Sequence, residues 1–476
     1  ATPCTFLLLR GLRATVSAHT LKALQSAAML PTTRAALGLR YHQGGNLAAC
    51  MRSTRGLQLG KVLIQRNPIR QLSGVANSLH LARDRLNIHW EDGVANQLNP
   101  TWLRERCQSD ITVDPETKQP KMNPHELPAE LAIEDAFLLP GLRDLKVSFS
   151  DGHVSQYSLH KLRSELAHFH ESPIQVPEYK KLQPRLWSGS EATMPEFAYE
   201  EVMHEERVRL ALVEELLTGG QALVRGVPRE DGEVVRFGQT LSTLRSTDWG
   251  ACFNVRTKPD ASKVAGQGVK KDLAYTPKPI GFHTDNPYRF PTPDFQLLHA
   301  IDHCSCPEGH APCSDCQVMN YMVDAFYIAQ LLRQEDPEAY RLLCEVPVRF
   351  ENDGGDGGSA LVHVAPHFEL EEGHGAERAL KGVRFSAKSG QYAPPLSPER
   401  LEAFYRARRR FSELAHSEQY VMSLQFKPGD LLVFDNQRLL HARSSIAPTD
   451  GERWVQGCYI DRDGLWLNYE RWRRRV

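Results

Sequence analysis

From residue 180 to residue 476, apolar runs of three to five residues alternate with a few helical patterns, and no run opens into a glycine-rich phosphate turn. The runs are Ala222-Leu223-Val224, Phe295-Gln296-Leu297-Leu298-His299, Val346–Phe350 and Asp430-Leu431-Leu432-Val433-Phe434. Helical periodicity is limited to Glu206–Leu217, Val323–Leu332 and Glu399–Leu414. Many short strands with few helices predict a β-sandwich or barrel with helical buttresses, mainly β with α. A doubly wound α/β fold fits less well. Pro347 has no N–H to give a ladder, which predicts a sheet edge for its run. Asp353-Gly354-Gly355-Asp356-Gly357-Gly358 lacks GxGxxG spacing and reads as a mobile surface loop.

Upstream, Leu86–Trp90 meets Glu91-Asp92-Gly93 and returns as Val94–Leu98, and Leu145–Phe149 meets Ser150-Asp151-Gly152 and returns through Val154 and Tyr157. Apolar alternation around Asp-Gly predicts two hairpins. Asn99–Arg104 between them starts a short helix. This β-rich module, residues 79–178, carries nothing that looks catalytic. The Pro-containing stretch Ser172–Pro177 marks its boundary with residues 179–476.

Charge sets the N-terminus apart. Residues 1–83 hold 11 Lys+Arg and no Asp or Glu, although the whole chain has a net charge of only −1. An acid-free, Arg-containing, Ala/Leu/Ser/Thr-rich start predicts an organelle transit peptide over residues 1–78, with cleavage around 70–75. Mitochondrial matrix is the first expectation and plastid the second; a disordered basic tail is the bland alternative. Balanced overall charge gives no support for nucleic-acid binding. The longest apolar candidate for a membrane span, near Phe6–Leu9, is far too short.

Ten cysteines in 476 residues do not make a secreted disulfide scaffold. Four cluster as Cys304, Cys306, Cys313 and Cys316, with His303 and His310 among them. They can hold a tetrahedral zinc or form a surface insertion of reduced thiols.

The sharpest chemical signal is Gly281-Phe282-His283-Thr284-Asp285-Asn286-Pro287. On a strand, His283 and Asp285 would point to one side and supply two ligands of a 2-His-1-carboxylate triad. His441, after the run Asp430–Phe434 and the next tight turn, is the candidate second histidine. Three protein ligands leave three positions of an octahedral ion open, which suits Fe(II) with a bidentate cosubstrate and O₂; zinc is the other reading. Arg453, twelve residues further on, can pair its guanidinium fork with the far carboxylate of such a cosubstrate.

This arrangement resembles the Fe(II)/2-oxoglutarate dioxygenases of the taurine dioxygenase superfamily, and within it the γ-butyrobetaine dioxygenase family. The resemblance covers roughly residues 80–476. It rests on Trp102-Leu103-Arg104-Glu105-Arg106-Cys107, Ala222–Val227, Ala274-Tyr275-Thr276, Phe282–Arg289, Gln296–His299, Pro428-Gly429-Asp430, Phe434-Asp435-Asn436, Leu440-His441 and Gly457–Asp463. It implies a double-stranded β-helix (jelly-roll) catalytic domain with iron on His283, Asp285 and His441. It also implies 2-oxoglutarate on Arg453 beside Leu298, ascorbate as reductant, and a homodimer built through the N-terminal module or Tyr469–Val476. The family's trimethylammonium cage falls on Trp249, Phe253, Tyr275 and Tyr459, all aromatic and fit for cation–π attraction.

Two departures stand out. The N-terminal zinc site of family members uses a Cys-rich run, of which only Cys107 remains here. Asp272, and Lys388-Ser389, stand where the family has asparagines facing the substrate's anionic end. The expected activity is hydroxylation of γ-butyrobetaine to L-carnitine. The alternatives are 2-(trimethylammonio)ethylphosphonate or trimethyllysine as substrate, a non-catalytic jelly roll that binds 2-oxoglutarate or a betaine, and a zinc-dependent interaction protein.

Overall fold

Both Asp-Gly sequences turn hairpins. In the computed structural model, Arg85–Trp90 pairs antiparallel with Ala95–Leu98, and Asp144–Phe149 with Val154–Ser158. Gly93 and Gly152 take φ of +80° and +79°, a region open to glycine at no steric cost. Each hairpin gains a third strand, Ala76–Ala82 or Ile133–Leu138, and the two sheets share a core that includes Leu86, Ile88, Trp90, Leu145, Val147 and Phe149. The expected helix spans Pro100–Glu105, where the Asn99 side chain accepts from the Trp102 N–H. The structure describes residues 75–82, 84–167, 177–189, 191–257, 273–302, 318–352, 361–372, 378–386, 388–446 and 453–476. The transit-peptide segment up to residue 74, most of the boundary stretch, Asp272, the Cys304–Cys316 cluster and the loop Asp353–Gly358 lie outside the described residues.

Cys107 sits in a small polar knot. Its Sγ lies 3.2 Å from His153 Nε2 and 3.2 Å from Ser109 Oγ, and Arg104 donates to Thr112 Oγ1 at 3.2 Å. Hydrogen bonds thus tie the loop after Arg104 to the second hairpin.

Downstream, two sheets pack face to face. The larger has the spatial order Glu196–Ala198, Gln221–Arg225, Leu431–Asp435, Phe295–Asp302, Arg453–Ile460, Phe253–Thr257. The smaller runs Ile280–His283, Leu439–Arg443, Met319–Asp324, Met422–Gln425. Leu223, Ala300, Leu432 and Phe434 of the first share a core with Met322, Met422 and Leu439 of the second. On the far side of the larger sheet, Phe295, Leu297 and Val433 bury against helices Glu206–Thr218, Glu233–Leu241 and Arg462–Arg473. Helices Ala325–Glu335, Pro337–Glu345 and Pro398–Ala415 buttress the smaller sheet through Ile328, Leu342 and Phe404.

One expectation fails. The run containing Pro347 becomes the strand Val348–Asn352, which is central, between Leu361–Ala365 and Gly390–Tyr392. Pro347 precedes its first residue, so no ladder bond is lost.

Candidate active site

His283 closes its strand, and the pairing there is irregular. Ile280 opposes Arg443 and His283 opposes His441, three steps on one strand against two on the other. That is a β-bulge, a device that re-aims side chains. It lets Ile280 and His283 line the same cavity that His441 and Arg443 line from the partner strand. The two histidines are therefore cross-strand partners, with ring centroids 4.1 Å apart.

Asp285 lies beyond the strand, so strand alternation is not what aims it. Asn436 does so instead. Its Oδ1 accepts from the Asp285 N–H at 2.6 Å, and its Nδ2 donates to the Asp285 and Pro293 carbonyls at 3.0 Å each. Ligand atoms of His283, Asp285 and His441 then all lie within 4.8 Å of one another, forming the one metal-ready group of its kind among the described residues.

These residues fit a divalent cation. His283 Nδ1 is 2.9 Å from the Gly281 carbonyl, a contact that needs the proton on Nδ1 and leaves the Nε2 lone pair toward Asp285. Nε2 lies 3.3 Å from Asp285 Oδ1. Gln296 Nε2 and the Tyr459 hydroxyl donate to Oδ2 at 2.8 and 2.9 Å, while Oδ1 accepts no hydrogen bond. Burial alone would raise the Asp285 carboxyl, but the Lys388 ammonium and the two imidazoles outweigh it and hold it well below the usual carboxylate range. Burial, reinforced by His283, holds His441 well below the usual imidazole range. An ionised carboxylate beside an imidazole that resists protonation suits a divalent metal, which binds deprotonated ligands.

Arg453, the first residue of its strand, is buried in the same cavity. Burial, then repulsion from Arg443, pushes its guanidinium down to about 9, and among the described residues no carboxylate pairs with it. A buried cation without an anion is a receptor for one. Leu298 lines the wall on the neighbouring strand.

Trp249, Phe253, Tyr275 and Tyr459 all line this cavity as well. Trp249 and Tyr275 lie 6.0 Å apart between ring centroids, and Phe253 and Tyr459 5.4 Å. Phe253 opposes Gly457, where a Cβ would come within 2.2 Å of its ring; only glycine leaves room for it. Lys388 lines the cavity with its Nζ 3.0 Å from Asp285 Oδ1.

Sequence reasoning did not find the clamp by Asn436, the Gln296 donor, or Asn286, Asn320 and Arg443 in the wall. Gln296 and Asn436 fall inside matched sequence runs, so position marked them without indicating a role.

Comparison with known proteins agrees with this geometry. Residues 178–459 match the taurine catabolism dioxygenase TauD, TfdA family, and residues 77–163 match the γ-butyrobetaine hydroxylase-like N-terminal family. A γ-butyrobetaine dioxygenase of Pseudomonas sp. (strain AK-1) is 29% identical over 381 residues, 80% of this chain and 91% of the relative. The human γ-butyrobetaine dioxygenase is 27% identical, over 82% of this chain and 95% of its own. A mouse mitochondrial trimethyllysine dioxygenase is 24% identical, over 81% and 85%. With the first of these families matched along more than half of its length, the chain belongs to the TauD, TfdA family and is a 2-oxoglutarate-dependent dioxygenase.

Proposed function

We propose that this protein hydroxylates a small trimethylammonium substrate, γ-butyrobetaine to L-carnitine first among the candidates, with Fe(II) and 2-oxoglutarate. The observation that carries the reading is the convergence of four aromatic rings on the cavity that also holds the His–Asp–His group and Arg453. A quaternary ammonium has no N–H to donate, so aromatic faces are the walls that attract it. The two packed sheets are read as a double-stranded β-helix.

Iron with 2-oxoglutarate and O₂ supplies the oxidising power for C–H hydroxylation, and the cosubstrate leaves as succinate and CO₂. His283, Asp285 and His441 are the residues that would hold the metal. Arg453 meets the distal carboxylate of 2-oxoglutarate with its fork, next to Leu298. Trp249, Phe253, Tyr275 and Tyr459 fix the cationic end of the substrate, so the chain that follows is held in one orientation. Lys388, a cation in the wall, suits an anionic far end. No side chain needs to transfer a proton in the C–H step. Ascorbate serves as external reductant. The acid-free N-terminus, and a mitochondrial relative, support action in the mitochondrial matrix.

Succinate release by the full chain with Fe(II), ascorbate and 2-oxoglutarate tests this. γ-Butyrobetaine, 2-(trimethylammonio)ethylphosphonate and trimethyllysine are assayed in parallel, with His283→Ala as control. Stimulation by one of them, lost in the variant, is the expected result and names the substrate. Turnover that none of them stimulates would sink the trimethylammonium reading, and no turnover with metal bound would favour a binding protein.

A further inference from the structure

The Asp285 carboxylate is asymmetric in its surroundings, and the asymmetry traces to a chain of hydrogen bonds that runs in one direction. Asn352 Nδ2 donates to the Tyr288 hydroxyl at 2.9 Å, and that hydroxyl donates to Asn286 Oδ1 at 2.6 Å. Asn286 Nδ2 donates to the Tyr459 hydroxyl at 3.1 Å, and Tyr459 donates to Asp285 Oδ2 at 2.9 Å. A phenol has one proton. Because the Tyr459 oxygen accepts from Asn286, its proton is left for Asp285. Asn286 presents its amide from a φ of +55°, a left-handed conformation that asparagine tolerates better than most residues. Gln296 Nε2 supplies a second donor to the same Oδ2. With the opposite amide orientation, Gln296 would put its oxygen against a carboxylate, so the contact fixes which way it points. Tyr288, Asn286, Gln296 and Tyr459 are all buried, so water does not compete for these bonds.

Oδ2 thus takes two hydrogen bonds from neutral donors, while Oδ1, the oxygen nearer His283, takes none of these and faces a cation, the Lys388 ammonium 3.0 Å away. We propose that Tyr459 is a positioning residue as well as a wall of the cation site: its hydroxyl, with the Gln296 amide, reserves Oδ2 so that Asp285 ligates through Oδ1 alone. A carboxylate that turned to offer both oxygens would take a coordination position that a bidentate cosubstrate and O₂ require. The ring of Tyr459 and its hydroxyl therefore have separable tasks, one toward the substrate and one toward the metal ligand. This inference rests on the reading of Asp285 as a metal ligand and Tyr459 as a cage wall.

Anaerobic Co(II) titration of the full chain, followed by visible absorption, reads affinity and coordination number without turnover. Tyr459→Phe keeps the ring and removes the donor; Gln296→Leu removes the other donor. Each is expected to weaken Co(II) binding by about tenfold, and the double variant by up to about 100-fold, the range typical of lost outer-sphere partners. The band intensities of the double variant should also shift, as a second carboxylate oxygen enters. Melting of the metal-free variants checks integrity; if Tyr459→Phe does not fold, Gln296→Leu carries the same test. Wild-type Co(II) affinity and spectrum in the folded variants would overturn the proposal. The substrate reading is tested apart from it: KM for γ-butyrobetaine should rise more than about tenfold in Tyr459→Leu relative to Tyr459→Phe, since both lack the hydroxyl and only the second keeps the ring. An unchanged KM in Tyr459→Leu would overturn the cage and leave the metal result standing.

Discussion

Asn436 is fully buried and uses both ends of its amide on the loop that carries Asp285. Asn436→Leu would orphan one N–H and two carbonyls out of reach of water, at about 1–3 kcal/mol for each group. The variant should lose about 3 kcal/mol or more in urea unfolding and bind Co(II) at least about tenfold more weakly. Wild-type values on both would show that Asp285 is aimed by something else. The ligands themselves were legible from the order His283-x-Asp285, His441 and Arg453 together with the family resemblance; an imidazole and a carboxylate two residues apart are a weak signal alone. The clamp was not. It acts across 151 positions of sequence, and a single chain carries no mark of which distant amide will arrive. Lys388 was legible as a cation near the substrate end, but its 3.0 Å approach to Asp285 depends on how strands from distant parts of the chain come together.

Strands and helices in this chain are set by a few contacts each. Gly457 opposes Phe253, so Gly457→Ala pushes a methyl into that ring without altering any residue of the site. The expected result is a rise of about tenfold in KM for the trimethylammonium substrate, with overpacking lowering stability by about 1–3 kcal/mol. Unchanged substrate kinetics would mean that Phe253 does not shape the pocket. Asp324 joins two roles: it caps Ala325–Glu335 by accepting from the Phe326 and Tyr327 N–H groups, and it pairs with buried Arg438 at 2.7 Å. Asp324→Ala would leave Arg438 charged and buried, so a loss of about 3–5 kcal/mol is expected in chemical unfolding. A loss below 1 kcal/mol would contradict that picture. The same cap explains why the helix begins at Ala325 although the apolar period extends back to Val323, the penultimate residue of a strand. Pro337–Glu345 and Glu233–Leu241 escaped notice because nine residues are too few for a periodic signal to stand out. The hairpins were the easiest to read, since Asp-Gly fixes both the turn and the register of its flanks.

Across the molecule, buried histidines tie stability to pH, and His299 and His367 show how. Burial pushes His299 down to about 4, and burial, partly offset by the hydrogen bond to the Arg384 carbonyl, pushes His367 down to about 4. Their unfolded value is near 6.5, so between about 6.5 and 4 the unfolded chain holds protons the folded chain refuses. Stability should therefore be unaffected by these groups above about pH 7 and fall as the pH drops through this window, by about 1.4 kcal/mol per pH unit for each histidine. Urea midpoints at pH 7.5 and 5.5 measure it; His367→Phe should lower the dependence by about 1.4 kcal/mol per pH unit, and a slope equal to wild type would discount His367. The mainly β architecture was legible at this level, since no alternative assembles so many short apolar runs. Which strands become neighbours was not: Phe295–Asp302 lies between two strands more than 130 residues later in the chain.

The bulge opposite His441 has a further consequence for what such a site can tolerate. One extra residue in Ile280–His283 is taken up there, so that Ile280 and His283 both stay on the cavity side. Deleting Gly281 would leave these two residues two positions apart, an even ladder that keeps His283 opposite His441 and facing the cavity. Every ligand would still be encoded, the flanking sheets would still pair, and melting should stay cooperative with Co(II) binding retained; loss of binding would show that the bulge itself aims the imidazole. For a lineage of such proteins, chain length at this one point can change by a residue without silencing the metal.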